Sequence, residues 1–169
     1  TDINLDTYKT LLQRSDKLFA DGRIKGFGEL ILNNQTSNPL ASFRRKVNID
    51  SAPIEAMFKI ATKYKGFVQI HSEDDADSID QLKTLAAKYP EVAIILSHCL
   101  LTGNVELVKS LLTQHPNLYC EMSARSKSHY PNLDNERIRT RVIYGEDFAK
   151  AEWIKLIDAL PTRFMVGTD

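Results

Sequence analysis

The sequence predicts an α/β fold built around a parallel sheet. Three times, a helical segment that closes in a polar turn leads into a short apolar strand: FVQIH ends at His71, VAIILSH ends at His98 and LYCEMS ends at Ser123. Short strands that alternate with amphipathic helices are typical of βαβ units. The nearly continuous apolar run VAIIL also favours a sheet that is covered on both faces.

The other elements follow from local signals along the chain. Apolar residues at helical spacing predict a helix over residues 4–21, which Gly22 closes. Pro53 lies in the first turn of a second helix, which ends at Tyr64. A further helix is predicted over residues 147–160. Five strands are predicted, near residues 24–32, 66–71, 92–98, 117–123 and 163–168.

The composition is that of an ordinary single domain, taken as residues 1–169. The 22 basic and 22 acidic residues balance, so no global field favours nucleic acid, and no apolar run approaches the roughly 20 residues that span a bilayer. The start, TDINLDTYKT, lacks the features of a signal peptide, so a cytoplasmic location is expected. Cys99 and Cys120 are expected to be free buried thiols, because disulfide scaffolds use more cysteines.

One edge of the predicted sheet collects titratable side chains. Parallel strands joined by right-handed crossovers end at the same edge, and four of the five strands end near Glu29, His71, His98 or Asp169. In α/β barrels this edge holds the active site, so the set indicates a site. Each residue also has a plainer interpretation: an ion pair for Glu29, a hydrogen-bonded structural histidine for His71 and His98, and a helix cap for Asp169.

The order of these motifs resembles the later strands of amidohydrolase-superfamily barrels. VQIHSE is followed by IILSHC, whose histidine comes 27 positions after the first, and the last strand ends in VGTD. The similarity is greatest to the amidohydrolase-2 branch, which also contains decarboxylases of aromatic and related acids. By this resemblance His71 and His98 correspond to the histidines of the fifth and sixth barrel strands, and Asp169 to the acid of the eighth. GFGEL is similar to an earlier Gly-x-Gly-Glu strand, which makes Glu29 a further candidate ligand.

The sequence also departs from that family. The first strand of such a barrel carries a His-x-His pair that supplies two metal ligands, and no such pair occurs here. The five predicted strands would correspond to the last five of a (β/α)8 TIM barrel, and we therefore expect the sequence to be a piece of a longer protein. An open five-stranded sheet with its own topology is the alternative.

The resemblance implies a metal-dependent hydrolase that cleaves a C–N or C–O bond of a small molecule. His71, His98, Asp169 and Glu29 would hold a divalent metal, with zinc as the preferred ion because it favours imidazole and carboxylate ligands. Asp169 would accept a proton from the attacking water, and His98 would stabilise the developing oxyanion or serve as a ligand. Arg125 would bind an anionic group of the substrate, or else form a structural ion pair.

Three other functions remain open at this point. A metal-assisted decarboxylase of the same branch is the nearest, and an α/β binding domain that has lost the metal would account for the missing His-x-His pair. A nuclease of a related barrel type is the third, although the balanced charge weighs against a nucleic-acid partner. The polar stretches NNQTSNPLASFRRKVN and SKSHYPNLDNERIRTRVIYGED are the expected specificity loops. Association into a homo-oligomer is possible on this evidence.

Overall fold

The structure is a computed structural model that describes residues 6–38, 40–126, 142–144 and 148–167. Helices and strands alternate along the chain over the whole of this part. The elements in chain order are α1 (Asp6–Ala20), β1 (Gly26–Ile31), α2 (Ala52–Tyr64), β2 (Phe67–His71), α3 (Ala76–Lys88), β3 (Ala93–Leu96), α4 (Val105–Gln114), β4 (Leu118–Glu121), α5 (Ala151–Ala159) and β5 (Phe164–Met165).

The strands form one sheet in the order β1-β2-β3-β4-β5, and every neighbouring pair is parallel. Sequential parallel strands with a helical crossover between them are what the alternating pattern predicts, so the predicted α/β fold class is confirmed. This topology brings the carboxyl ends of all five strands to one edge, which we call the C-terminal rim. The opposite edge is the N-terminal rim.

The two faces of the sheet differ in burial. On one face, cross-strand neighbours such as Val68 with Ile94 and Ile70 with Leu96 are fully buried and pack with the helices in a single core. On the other face, the paired Gln69 and Ile95 are only partly buried. Because alternate residues of a strand point to opposite faces, the described residues cover one face of the sheet fully and the other in part.

Local signals account for the ends of several helices. Gly22 follows α1 with a φ of +68°, a left-handed conformation that glycine adopts without steric cost. The side chain of Asp75 accepts a hydrogen bond from the amide of Ser78 at the start of α3, and Asn104 does the same for Leu107 in α4. Buried leucines hold the helices on the sheet, and each contributes about 1.5–3 kcal/mol.

The strands are shorter than predicted at the C-terminal rim. β3 ends at Leu96, and the next three residues, Ser97–Cys99, form a 3-10 turn. His98 thus lies in a turn rather than at the end of a strand. The helix predicted over residues 147–160 is observed as α5 (Ala151–Ala159). Residues 145–147 lie outside the described part of the chain. Among the described residues, no helix is long and apolar enough to cross a membrane.

The two cysteines are paired. Cys99 follows the end of β3 and Cys120 lies on β4, with 4.6 Å between their Cα atoms, and their sulfurs form a disulfide. The prediction of two free thiols is therefore wrong. The physical reason is the parallel pairing of β3 with β4, which places residues that are 21 positions apart in sequence side by side.

Candidate metal centre at the C-terminal rim

Three of the predicted site residues meet at the C-terminal rim. The register places Ile31 of β1 beside His71 at the end of β2, and a shift in the β1–β2 pairing lies between Phe27 and Leu30, around Glu29. His98 follows the end of β3, the next strand in the sheet. These three neighbouring strands therefore supply Glu29, His71 and His98 to one small volume.

The carboxylate of Glu29 lies between the two imidazoles. Its Oε1 is 3.0 Å from Nδ1 of His71 and 3.3 Å from Nε2 of His98. The two rings meet edge to face, with centroids 5.0 Å apart. One ligand atom from each of the three residues lies within 4.8 Å of the others. We call this trio the Glu29 cluster.

The Glu29 carboxylate is strongly stabilised in its charged form. Hydrogen bonds from His71 and then from His98 hold the pKa of the Glu29 carboxyl well below its usual range, against a desolvation that would raise that pKa. The carboxylate is therefore ionised throughout the neutral pH range. A permanently charged carboxylate flanked by two imidazoles is a donor set that suits a divalent metal ion.

The surroundings of His98 identify the nitrogen that carries its proton. The side chain of His98 is 5% exposed, and its Nδ1 lies 3.2 Å from the main-chain oxygen of Ser123 and 3.0 Å from the Ser123 hydroxyl. The carbonyl can only accept, and the hydroxyl donates its own proton to Glu121. Nδ1 of His98 must therefore be the donor. Nε2, the other ring nitrogen, then faces the Glu29 carboxylate.

Glu121 supports the same histidine from β4. Its carboxylate accepts hydrogen bonds from the amide of His98 at 3.2 Å and from the amide of Ser123 at 2.6 Å. Metal-binding histidines commonly donate their second ring nitrogen to such an outer group, which sets their tautomer and orientation. The His98–Ser123–Glu121 network has this arrangement.

The residues present fit a metal ion on two observations. Nε2 of His71 is buried and has no hydrogen-bond partner among the described residues, and a buried lone pair without a donor is costly. Nε2 of His98 lies 3.3 Å from the Glu29 carboxylate, so nitrogen and oxygen ligands face the same small volume. Ligands about 2.0–2.1 Å from zinc lie about 3.3–3.4 Å apart in a tetrahedron, close to the separation of Glu29 from His98.

Arg125 lies at the predicted rim, where its side chain is fully buried. It is 0% exposed, and its guanidinium donates hydrogen bonds to four main-chain carbonyls, those of His98, Cys99, Leu100 and Gly103. The group is also packed against the ring of Trp153, 5.2 Å away. The contact with a substrate anion stays a prediction, and the four carbonyls already engage the fork that such an anion would need.

The first predicted specificity loop is tied to the rim by acidic residues. Glu73, which is 4% exposed, accepts hydrogen bonds from the amides and hydroxyls of Thr36 and Ser37 at 2.7–3.1 Å. Asp75 accepts from Lys46 at 2.7 Å as well as capping α3. The acidic residues after His71 thus anchor the loop.

Two functional candidates, Glu121 and Ser123, were not among the predicted site residues. Glu121 carries the same signal that singled out the others, an acid at the carboxyl end of a predicted strand. Ser123 has no local signal, because a serine after a strand is common and its value depends on His98, 25 residues away. Asp169 lies outside the described residues, as do most of the residues in the second specificity loop.

Gly167, which follows β5, lies close to the carboxylate of Glu121. A Cβ atom on Gly167 would collide with the Glu121 carboxylate. Glycine at this position therefore lets the main chain after β5 approach the side chain that holds His98. Gly167 therefore lies beside Glu121, one of the residues that support His98.

Comparison with known proteins identifies the fold. No protein-family model matches the sequence, and no curated protein matches it. An uncharacterized TIM-barrel protein from Bordetella bronchiseptica is similar in structure, with a TM-score of 0.55, 15% identity, and coverage of 95% of this chain and 50% of that one. A dihydroorotase from Campylobacter jejuni has a TM-score of 0.57 and 17% identity, with coverage of 91% and 47%. The chain thus has a TIM-barrel type of fold and spans about half the length of these structures.

Proposed function

We propose that this chain carries the metal-binding rim of a metal-dependent hydrolase of the amidohydrolase type, which cleaves a C–N or C–O bond of a small molecule. The observation that carries the proposal is the Glu29 cluster, whose three ligand atoms lie within 4.8 Å of one another, with Nε2 of His71 buried and without a hydrogen-bond partner among the described residues. A buried ring nitrogen without a partner is costly, and a cation bound beside the charged carboxylate of Glu29 would remove that cost.

Glu29, His71 and His98 would hold the metal, and zinc is the preferred ion for this mixture of nitrogen and oxygen ligands. When bound, such a metal lowers the pKa of a coordinated water towards about 7 and polarises a substrate carbonyl. Asp169, two residues beyond Gly167, is proposed as a further ligand and as the base that accepts the proton of the water.

The chain's own residues would prepare this chemistry without the metal. The Ser123 carbonyl holds the proton of His98 on Nδ1, so that Nε2 is available as a neutral ligand. The first specificity loop, anchored through Glu73, would cover the rim and select the substrate. Because Arg125 is occupied by main-chain carbonyls, the recognition of a substrate anion would fall to other residues.

The fold likeness to dihydroorotase, a metal-dependent amidohydrolase, supports this class of function. The likeness concerns the fold, at low identity and over half of that chain. The support that is specific to this protein therefore comes from its own three side chains, which lie at the rim where barrel enzymes hold their catalytic groups.

The test is zinc binding, followed by turnover. Metal content would be measured by mass spectrometry and zinc affinity by competition with a chromogenic chelator, for the protein and for Glu29→Gln, His71→Asn and His98→Asn. We expect each variant to lose more than about 100-fold in zinc affinity, which exceeds the effect typical of an outer-shell partner. His115→Asn is the matched control, because His115 lies on the N-terminal rim, where its amide caps α4.

Turnover would be assayed with a panel of cyclic amides and lactones, and with carbon dioxide release from aromatic carboxylic acids. Zinc-dependent hydrolysis that Asp169→Asn abolishes is the expected result. Carbon dioxide release in place of hydrolysis would favour the decarboxylase, and zinc binding without turnover of either kind would favour a binding domain. A wild-type protein that binds no divalent metal would overturn the proposal.

A further inference from the structure

The turn that carries His98 has an unusual main-chain conformation. His98, Cys99 and Leu100 have φ values of +55°, +49° and +61°, which place three consecutive non-glycine residues in the left-handed region. Residues other than glycine rarely adopt this main-chain conformation even singly. A run of three such residues persists only where surrounding contacts determine it. The position of the His98 ring follows from this turn, so whatever holds the turn also positions the ring.

Arg125 is the residue that holds it. Its Nη1 lies 2.8 Å from the carbonyl oxygen of His98, 3.1 Å from that of Cys99 and 3.0 Å from that of Leu100, while Nη2 lies 2.6 Å from that of Gly103. A left-handed run turns successive carbonyls away from helix or strand partners, and here they converge on a single cation. Each of these bonds is charge-assisted, in a site without solvent exposure.

We propose that Arg125 is a positioning residue that presents His98 to the metal ion. It acts on the main chain of the turn, whereas Glu121 and Ser123 act on the amide and on Nδ1 of the same histidine. Together these contacts set both the location and the tautomer of the ring. The inference rests on the proposed metal site for its effect on zinc, but its effect on the His98 ring is independent of any metal.

A second arginine of similar character provides a matched control. Arg163 also donates to main-chain carbonyls, those of His115 and Leu118, and its guanidinium lies 5.0 Å from the ring of Tyr119. It performs this role on the N-terminal rim, away from the Glu29 cluster. A variant of Arg163 therefore reports what the loss of an arginine that binds carbonyls does to stability alone.

The experiment compares Arg125→Lys and Arg125→Met with Arg163→Lys and Arg163→Met. Zinc affinity would be measured by chelator competition at a temperature where circular dichroism shows each variant folded. We expect Arg125→Met to weaken zinc binding by about 10–100-fold, the range seen when outer partners of a ligand are removed. Arg125→Lys should recover part of this loss, since its ammonium can serve the carbonyls near Nη1 but not Gly103. Both Arg163 variants should bind zinc within about twofold of the wild type.

The second measurement uses the metal-free protein. Long-range nitrogen–proton spectra of its histidines report the tautomer and the order of the His98 ring. We expect a single Nδ1–H tautomer in the wild type and in the Arg163 variants, and a mixture of tautomers or a broadened signal in Arg125→Lys. This readout decides the inference even if Arg125→Met does not fold.

The outcomes separate the two proposals. If the wild type binds no zinc, the proposed function fails, and the His98 spectra alone decide the role of Arg125. If zinc binds and Arg125→Lys matches the wild type in both affinity and His98 spectrum, the positioning role is overturned. It is equally overturned if the Arg163 variants weaken zinc binding as much as the Arg125 variants do.

Discussion

The two rims of the sheet use similar residues in different ways. On the N-terminal rim, Asn117 and Arg163 donate to main-chain carbonyls, and these bonds end one element and begin the next. On the C-terminal rim, Glu29, His71 and His98 instead face one another, and Nε2 of His71 has no hydrogen-bond partner among the described residues. Both rims bury polar groups, so burial of a polar side chain does not by itself indicate function. The difference lies in whether the main chain satisfies the buried group.

Arg125 shows why this distinction matters. It lies on the C-terminal rim yet behaves like a residue of the opposite one, because its donors are directed to carbonyls. Its link to the Glu29 cluster is indirect, through the turn that it holds. A rim can therefore contain both reacting groups and the structural groups that orient them, and only the hydrogen-bond partners tell the two apart.

The largest effect expected outside the cluster comes from Asn117 on the N-terminal rim. Its side-chain amide donates to the carbonyls of Ala86, Tyr89 and Val92 at 3.0–3.2 Å, where α3 passes into β3. Asn117→Ala leaves these buried oxygens without that donor and should reduce the free energy of unfolding by about 2–3 kcal/mol. Urea unfolding would measure this. Zinc affinity of the folded variant should stay at the wild-type value, and a loss there would contradict the proposed separation of the rims.

Two glycine substitutions test the same separation of the two rims, with expected effects of intermediate size. Gly167→Ala drives a methyl group into the Glu121 carboxylate, and Gly26→Ala places one 2.5 Å from the ring of Phe67 at the other end of the sheet. Overpacking of this kind typically costs about 1–3 kcal/mol, so both variants should melt at lower temperature. Only Gly167→Ala should also weaken zinc binding, since Glu121 holds the amide of His98. Equal zinc affinities in the two variants would show that the Glu121 contact is not needed.

The smallest effect is expected on the outer layer of helices. Asp16 of α1 and Lys63 of α2 form an exposed ion pair with a 2.9 Å contact. The hydrogen bond from Lys63 lowers the pKa of the Asp16 carboxyl, so the pair stabilises the fold above the ordinary aspartate pKa and ceases to do so as the pH falls through the folded-state value. Asp16→Asn should therefore change stability little at pH 7 and not at all in high salt.

Thermal melts of Asp16→Asn and the wild type between pH 2 and pH 7 would measure this, at low and at about 1 M salt. The two curves should converge at the acid end. A difference that grows as the pH falls would have the wrong sign for a carboxyl with a lowered pKa and would contradict the assignment.

The sequence predicted much of the fold because the relevant signals are local. Helical spacing, the glycine after α1 and the alternation of helices with strands each depend on a few neighbouring residues. Cys99 and Cys120 were assigned wrongly because their pairing depends on strands that meet only in the sheet. The carbonyl partners of Arg125 escaped the sequence for the same reason, since they lie 22–27 residues earlier in the chain.

By itself, the sequence determined that parallel strands carry Glu29, His71 and His98 to one rim, because strand direction and crossover handedness leave no other edge for them. The tertiary structure alone decided which of these side chains face one another. It also decided that His98 lies in a left-handed turn, and that a buried arginine serves that turn. Those outcomes depend on register and on contacts between distant segments, which no local pattern encodes.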